Sequence, residues 1–171
     1  MLFRAWSLEE SDMPKITLAD NHLVLSAAGN AERAALSLFS MASTIYPGDN
    51  HNLVNHFIRE VIEAGISLGL NARKVIELCH LEDASFDQTR WKYDFDPRLR
   101  ETSFREATNR FVHARQLRVR TLGHSDRIFG NDIVMTEFII TTDRREPAHI
   151  DIFGFAWAYL SQVAPQIGLP E

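Results

Sequence analysis

PRLRETSFREATNRFVHARQLRVRTL, residues 97–122, changes its period midway. Asp96-Pro97 at its head reads as a helix N-cap followed by proline at the first helical position, so a helix is expected from Pro97 to about Ala114. At about 100° per residue, Phe104, Ala107, Phe111 and Ala114 share one face of that helix. Thr102, Arg105, Asn109 and His113 fall on the opposite face. From Leu117 the period becomes two. LRVRTL (117–122) alternates apolar with polar, and so does much of IVMTEFIITT (133–142), both rich in β-branched residues. GHSDRIFGND (123–132) between them is rich in Gly, Asp and Asn, the composition of a longer hairpin loop. The expected class is therefore α+β: a predominantly helical bundle with a C-terminal β-hairpin followed by a terminal helix.

Outward from this stretch, DRREP (143–147) reads as a turn, and a final helix is expected from Ala148. Its apolar side would carry Ile150, Phe153, Trp157, Leu160 and Ala164, and Pro165 would end it. Upstream, residues 16–25, ITLADNHLVL, fit either two strand halves around Asp20-Asn21 or one helix. Asn30 is a good N-cap for a helix carrying Leu36, Phe39, Ala42 and Tyr46, which Pro47-Gly48 would stop. Asp49 or Asn50 can cap the next helix, whose stripe of Leu53, Val54, Phe57, Ile58, Val61 and Ile62 is the strongest amphipathic signal in the chain. That helix should end near Gly65 or Gly69, with Asn71 capping a shorter one through Cys79. Residues 81–96 read as a connection anchored by Phe86, Trp91, Tyr93 and Phe95. No break suggests two domains, so residues 1–171 are expected to form one.

The 171 residues are 45% hydrophobic and 24% charged, a globular rather than a disordered balance. No run approaches the 18 apolar residues of a membrane span. MLFRAWSLEESDMPK, at the start, lacks an apolar segment of signal-peptide length, so a cytoplasmic protein with no membrane partner is expected. The lone Cys79 excludes an internal disulfide and a multi-cysteine zinc site, and its apolar helical surroundings point to a buried structural thiol. The net charge of -5 is uneven. Residues 1–89 carry 6 basic and 12 acidic groups, residues 90–145 carry 12 and 8, and residues 146–171 carry none and 3. In the middle segment every basic residue except Lys92 is arginine, the side chain that grips phosphate or carboxylate in bidentate fashion. The plainer account is that these arginines pair with their acidic neighbours.

Arg105, Asn109 and His113 are spaced i, i+4, i+8 and so stack along one helical stripe. An arginine can neutralise a phosphodiester, an asparagine can orient it, and a histidine can exchange its protons near neutral pH. Arg110, Arg115 and Arg118 extend the positive charge as candidate anion or RNA contacts. A polar stripe opposite an apolar one is equally what any surface helix shows. The histidines lack metal-ligand spacing, and the glycine-rich phosphate loops and the Gly-x-Ser-x-Gly elbow are absent, so no metal and no cofactor is expected. Trp91, Tyr93 and Phe95 alternate beside arginines, a pattern that suits base stacking but more often pins a loop to a core.

REATNRFVHARQ (105–116) resembles the signature helix of HEPN-type proteins, small helical bundles common in prokaryotic toxin–antitoxin and defence systems. Their motif is an arginine, often followed by asparagine, with four to six residues between that arginine and a histidine. Asn109-x-x-x-His113 matches, while Thr108 stands in the usual arginine place. The variant Arg105-x-x-x-Asn109-x-x-x-His113-Ala114 is similar to a pattern in uncharacterised bacterial proteins, where the helix leads into a β-hairpin and a terminal helix. The resemblance implies a homodimer with the motif helices facing each other, and metal-independent RNA cleavage at Arg105, Asn109 and His113. The competing expectation is a non-catalytic interaction module, with a protein encoded nearby as partner and residues 1–29 as its contact surface.

Overall fold

The structure, a computed structural model, describes residues 18–124 and 131–167. Of the stretch 1–29 expected as a contact surface, residues 1–17 therefore lie outside the described residues, as does most of the expected hairpin loop at 123–132. Among the described residues four α-helices pack on one face of a four-stranded antiparallel sheet. Helix α1 runs Leu18–Ala42 without a break, so the ambiguous residues 18–25 are helical. Asn30 is not its cap. It lies inside α1, where its Oδ1 accepts from Arg33 Nη2 at 2.6 Å. The buried stripe is Ala27, Ala31, Ala34, Ala35, Leu38 and Ala42, whereas Leu36 is 53% exposed. These small side chains let α1 lie close against the next helix. Tyr46, expected on the first helix, instead begins the short strand β1 (Tyr46–Pro47).

Asn50 caps α2, His51–Leu78, its side chain accepting from Leu53 N. The helix does not stop at Gly65 or Gly69. A Cβ on Gly65 would lie 2.5 Å from Phe138 Cζ, and one on Gly69 would lie 2.6 Å from Phe111 Cβ. The two glycines thus admit aromatic rings close to the helix axis. Asn71 caps nothing, and its Nδ2 donates to Ser67 O. Helix α2 ends at Leu78 with Cys79 as its C-cap, His80 follows in the left-handed region at φ 50°, and Leu81 N bonds back to Ile76 O.

Asp96-Pro97 makes a turn rather than a helix start. Arg98 N donates to Asp96 Oδ1 and Leu99 N to Asp96 O, so the aspartate is satisfied locally. The chain then pairs with the sheet edge, with Glu101 N donating to His149 O and His149 N to Leu99 O. Helix α3 spans only Phe104–Val112, and Ser103 is its true cap, accepting from Glu106 N. After Val112 the backbone turns into the sheet, Arg115 N donating to Thr141 O.

The sheet is larger than a two-stranded hairpin. Strand β3 (Asp132–Thr141) lies at its centre, with β2 (Gln116–Gly123) along one edge. Both β1 and β4 (Ala148–Asp151) lie along the other. Residues 148–151, expected as helix, are this strand. The last helix, α4 (Ile152–Ala158), starts only after Asp151, whose Oδ1 accepts from Gly154 N at 2.7 Å. It winds on through a π-helical turn, Tyr159–Val163. The register Leu117↔Ile140, Val119↔Phe138 and Phe138↔Ile150 turns these side chains towards the helices. There Phe155 of α4 stacks on Phe104 and Phe111 at centroid distances of 4.9 and 5.4 Å.

The alternate residues, Arg120, Glu137, His149 and Asp151, face the other way, where Tyr93 and Asp94 reach Asp151 and Arg120. Arg120 Nη1 and His149 Nδ1 each lie 2.9 Å from Glu137 Oε1. Tyr93 OH donates to Asp151 Oδ2 at 2.6 Å, and Arg120 Nη1 also reaches Asp94 O. The aromatic anchors hold as expected of a pinned connection: Phe86 is buried, and Trp91 Nε1 donates to Ala42 O. Among the described residues no helix is long and apolar enough to cross a membrane.

Candidate anion-binding cleft

Helix α3 presents Phe104, Ala107 and Phe111 to the core and leaves Asn109 and Arg110 half-buried at its outer side. Its last turn ends at His113, which is the C-cap and exposed. The antiparallel pairing Gln116↔Thr141 then brings the turn after β3 beside this helix end. Between them opens a surface cleft of about 700 Å³. Asn109, Arg110, His113 and Arg115 line one wall, and Asp143, Arg144 and Arg145 the other.

The cleft's charges are partly committed. Arg145 Nη1 donates to Glu106 Oε2 at 2.7 Å, and Asn109 Nδ2 donates to Glu106 Oε1 at 3.2 Å. The bond from Arg145 holds the Glu106 carboxyl below its ordinary range. Burial opposes that shift, and the Asn109 bond and the charges of Arg145 and Arg110 add to it. Arg115 pairs with Asp143, its Nη2 2.7 Å from Oδ2. Arg110 donates from Nη1 to Glu146 O at 3.1 Å. Its Nε is buried, has no hydrogen-bond partner among the described residues, and lies 3.9 Å from Glu101. Arg144 makes no ion pair or hydrogen bond with the described residues.

The structure thus brings together Asn109, His113, Arg110 and Arg115 of the residues singled out from sequence, and leaves two outside. Arg105 turns back towards the end of α2, its Nη2 donating to Leu81 O at 2.7 Å and its backbone N–H donating to Asp83. It lies in the first turn of a helix that begins seven residues later than expected, so it braces the α2–α3 connection. Arg118 sits on the sheet face that points away from the helices, alternate to Leu117 and Val119, and among the described residues reaches only Gln116. Sequence reading missed Arg144 and Arg145, which it had placed in a plain turn. The signal was present in the alternation of 117–122 and 133–142: closing that pair places the residues after 141 next to those before 116.

Four arginines, an amide and an imidazole around one open cleft can hold an oxyanion and exchange a proton with it. Among the described residues no group of three or more His, Cys, Asp or Glu is placed to share a metal ion. Comparison with protein-family models, with curated proteins and with solved structures finds no match to this chain.

Proposed function

We propose that this protein binds RNA through its phosphates in the cleft at the C-terminal end of α3, with His113 as general acid or base for phosphodiester cleavage. The observation that carries the reading is the convergence of Arg110, Arg115, Arg144 and Arg145 on one cleft beside His113, in a chain whose overall charge is -5. A net-negative protein repels a polyanion, so a local concentration of arginine is the surface on which RNA would dock. Arg110 neutralises the phosphate, Asn109 orients it, and His113 moves the proton. Arg105, assigned the phosphate by the HEPN resemblance, is replaced in this role by Arg110.

The test is titration of a fluorescent single-stranded RNA by anisotropy at several salt concentrations. Reversing Arg144 and Arg145 together to glutamate should weaken binding about tenfold or more. The salt slope should become shallower by about 0.7 for each phosphate that is no longer neutralised. His113→Ala should retain binding and abolish cleavage. Undiminished binding by the double variant overturns the reading. The alternative, a non-catalytic interaction module, draws on Leu25 and Leu36, exposed on one face of α1. It gains if the double reversal of Arg144 and Arg145 leaves RNA binding unaltered.

A further inference from the structure

Glu106 is not part of the chemistry proposed above, yet its carboxylate touches two groups that chemistry needs. It stands on the first turn of α3, one turn before Asn109 and Arg110. One oxygen takes a hydrogen bond from the Asn109 amide at 3.2 Å, and the other takes one from the Arg145 guanidinium at 2.7 Å. Two oxygens sharing one negative charge, held by an amide and a guanidinium, is also how a phosphodiester would be gripped by its non-bridging oxygens. On the opposite wall Asp143 holds Arg115 in a similar way.

We infer that Glu106, from beside the cleft, occupies the groups that would grip a phosphate there, so that an RNA phosphate binds by displacing this carboxylate from Asn109 and Arg145. The inference rests on the proposed RNA reading of the cleft. The exposure of the pair makes displacement feasible: the side chains of Arg145 and Glu106 are 60% and 40% exposed, and ion pairs this open to solvent are weak. The carboxylate is fully ionised at neutral pH, because the same bond from Arg145 keeps its proton affinity low. A ligand therefore meets a competitor that protonation does not remove. Arg144, which lies in the same turn without a partner of its own among the described residues, makes the first contact. Displacement follows when a second phosphate of the same strand reaches Arg145. Such a site discriminates against small monoanions, which cannot hold Arg144 and displace Glu106 together, and favours a strand with phosphates in series.

The experiment compares wild type, Glu106→Gln and Arg144→Glu for binding of a 5′-labelled single-stranded RNA by anisotropy. Glutamine keeps the size and the acceptor oxygen but removes the charge. Glu106→Gln should bind roughly three- to tenfold more tightly, the scale set by releasing one exposed ion pair, with a salt slope steeper by about 0.7. Arg144→Glu should bind more weakly than wild type. If Arg144→Glu weakens binding but Glu106→Gln is unchanged or weaker, the cleft reading stands and the displacement inference falls. If Arg144→Glu changes nothing, or wild type does not bind, both fall. Circular dichroism checks that each variant is folded, and Glu106→Ala, which also releases Asn109 and Arg145, must shift affinity in the same direction.

Discussion

At Asp151 two opposing effects meet on one side chain. Burial pushes its carboxyl up from an ordinary 3.8 to about 6, against the pull of hydrogen bonds from Tyr93 and Gly154 and of the Arg100 charge, while Glu137 adds to the rise. The Tyr93 hydroxyl is itself driven up, first by burial and then by the Asp151 charge. For an acid whose folded value is raised, the linked stability is complete below the unfolded value and is lost as pH rises through the folded one. Asp151 therefore costs stability progressively from about pH 4 to pH 6, amounting to about 3 kcal/mol at neutral pH. Asn at this position keeps an acceptor for Gly154 N and has no charge to bury. Asp151→Asn is thus expected to be more stable than wild type at pH 7 and to lose that advantage near pH 4. Urea titrations at the two pH values measure this, and an equal difference at both would refute the assignment. Asp96 behaves oppositely: the bonds from Arg98 hold its carboxyl down at about 2. Its titration does not overlap that of Asp151.

Among the elements, α2 is the one whose length sequence signals misjudge. Glycine in a helix interior weakens it by roughly 0.5–1 kcal/mol relative to alanine, so two glycines four apart read as an end. In the fold that cost is outweighed by ring packing against a bare backbone. Phe138 lies over Gly65 and Phe111 over Gly69, and the two rings meet edge to face at 5.3 Å. The helix-propensity gain and the steric cost therefore have opposite signs, and position decides which wins. At Gly29 a Cβ would meet nothing closer than Arg33 Nη1 at 3.8 Å, so Gly29→Ala should raise stability by about 0.5–1 kcal/mol. At Gly69 it would press on Phe111 at 2.6 Å, and Gly69→Ala should lower stability by about 1–3 kcal/mol. Thermal or denaturant unfolding of the pair checks the signs; a gain at Gly69 would mean that Phe111 can retreat.

For the molecule as a whole, the helical layer and the end of the chain are joined through one aromatic cluster. Phe155 on α4 touches Phe104 and Phe111 of α3, and Phe86 of the connection lies 6.1 Å from it. These rings come from three separate parts of the chain. Phe155→Ala removes the shared member and should destabilise the fold by about 3–5 kcal/mol. The same substitution should loosen the cleft, because α3 is deprived of the packing that fixes its position. Hydrogen exchange of α3 amides would rise in step with the fall in stability. Protected α3 amides in this variant would show that α2 alone holds the helix.

Period and turn chemistry are local properties. They sufficed for the α+β class, for a cap at Asp49 or Asn50, for the two alternating strands and for the aromatic pins of residues 81–96. They also picked out Asn109, Arg110, His113 and Arg115, because a helix end followed by a strand keeps sequence neighbours close in space. What lay beyond them depended on partners distant in the chain. Whether Asp96-Pro97 opened a helix or a turn was settled by the free edge of β4. Whether Ala148 began a helix or a strand was settled by the pairing capacity of β3. Arg144 and Arg145 joined the cleft, and Arg105 left it, through the β2–β3 register and the late start of α3 at Ser103. Hydrogen-bond demand along a strand edge and the volume of a neighbouring ring are properties of the assembled chain, and no window of local sequence contains them.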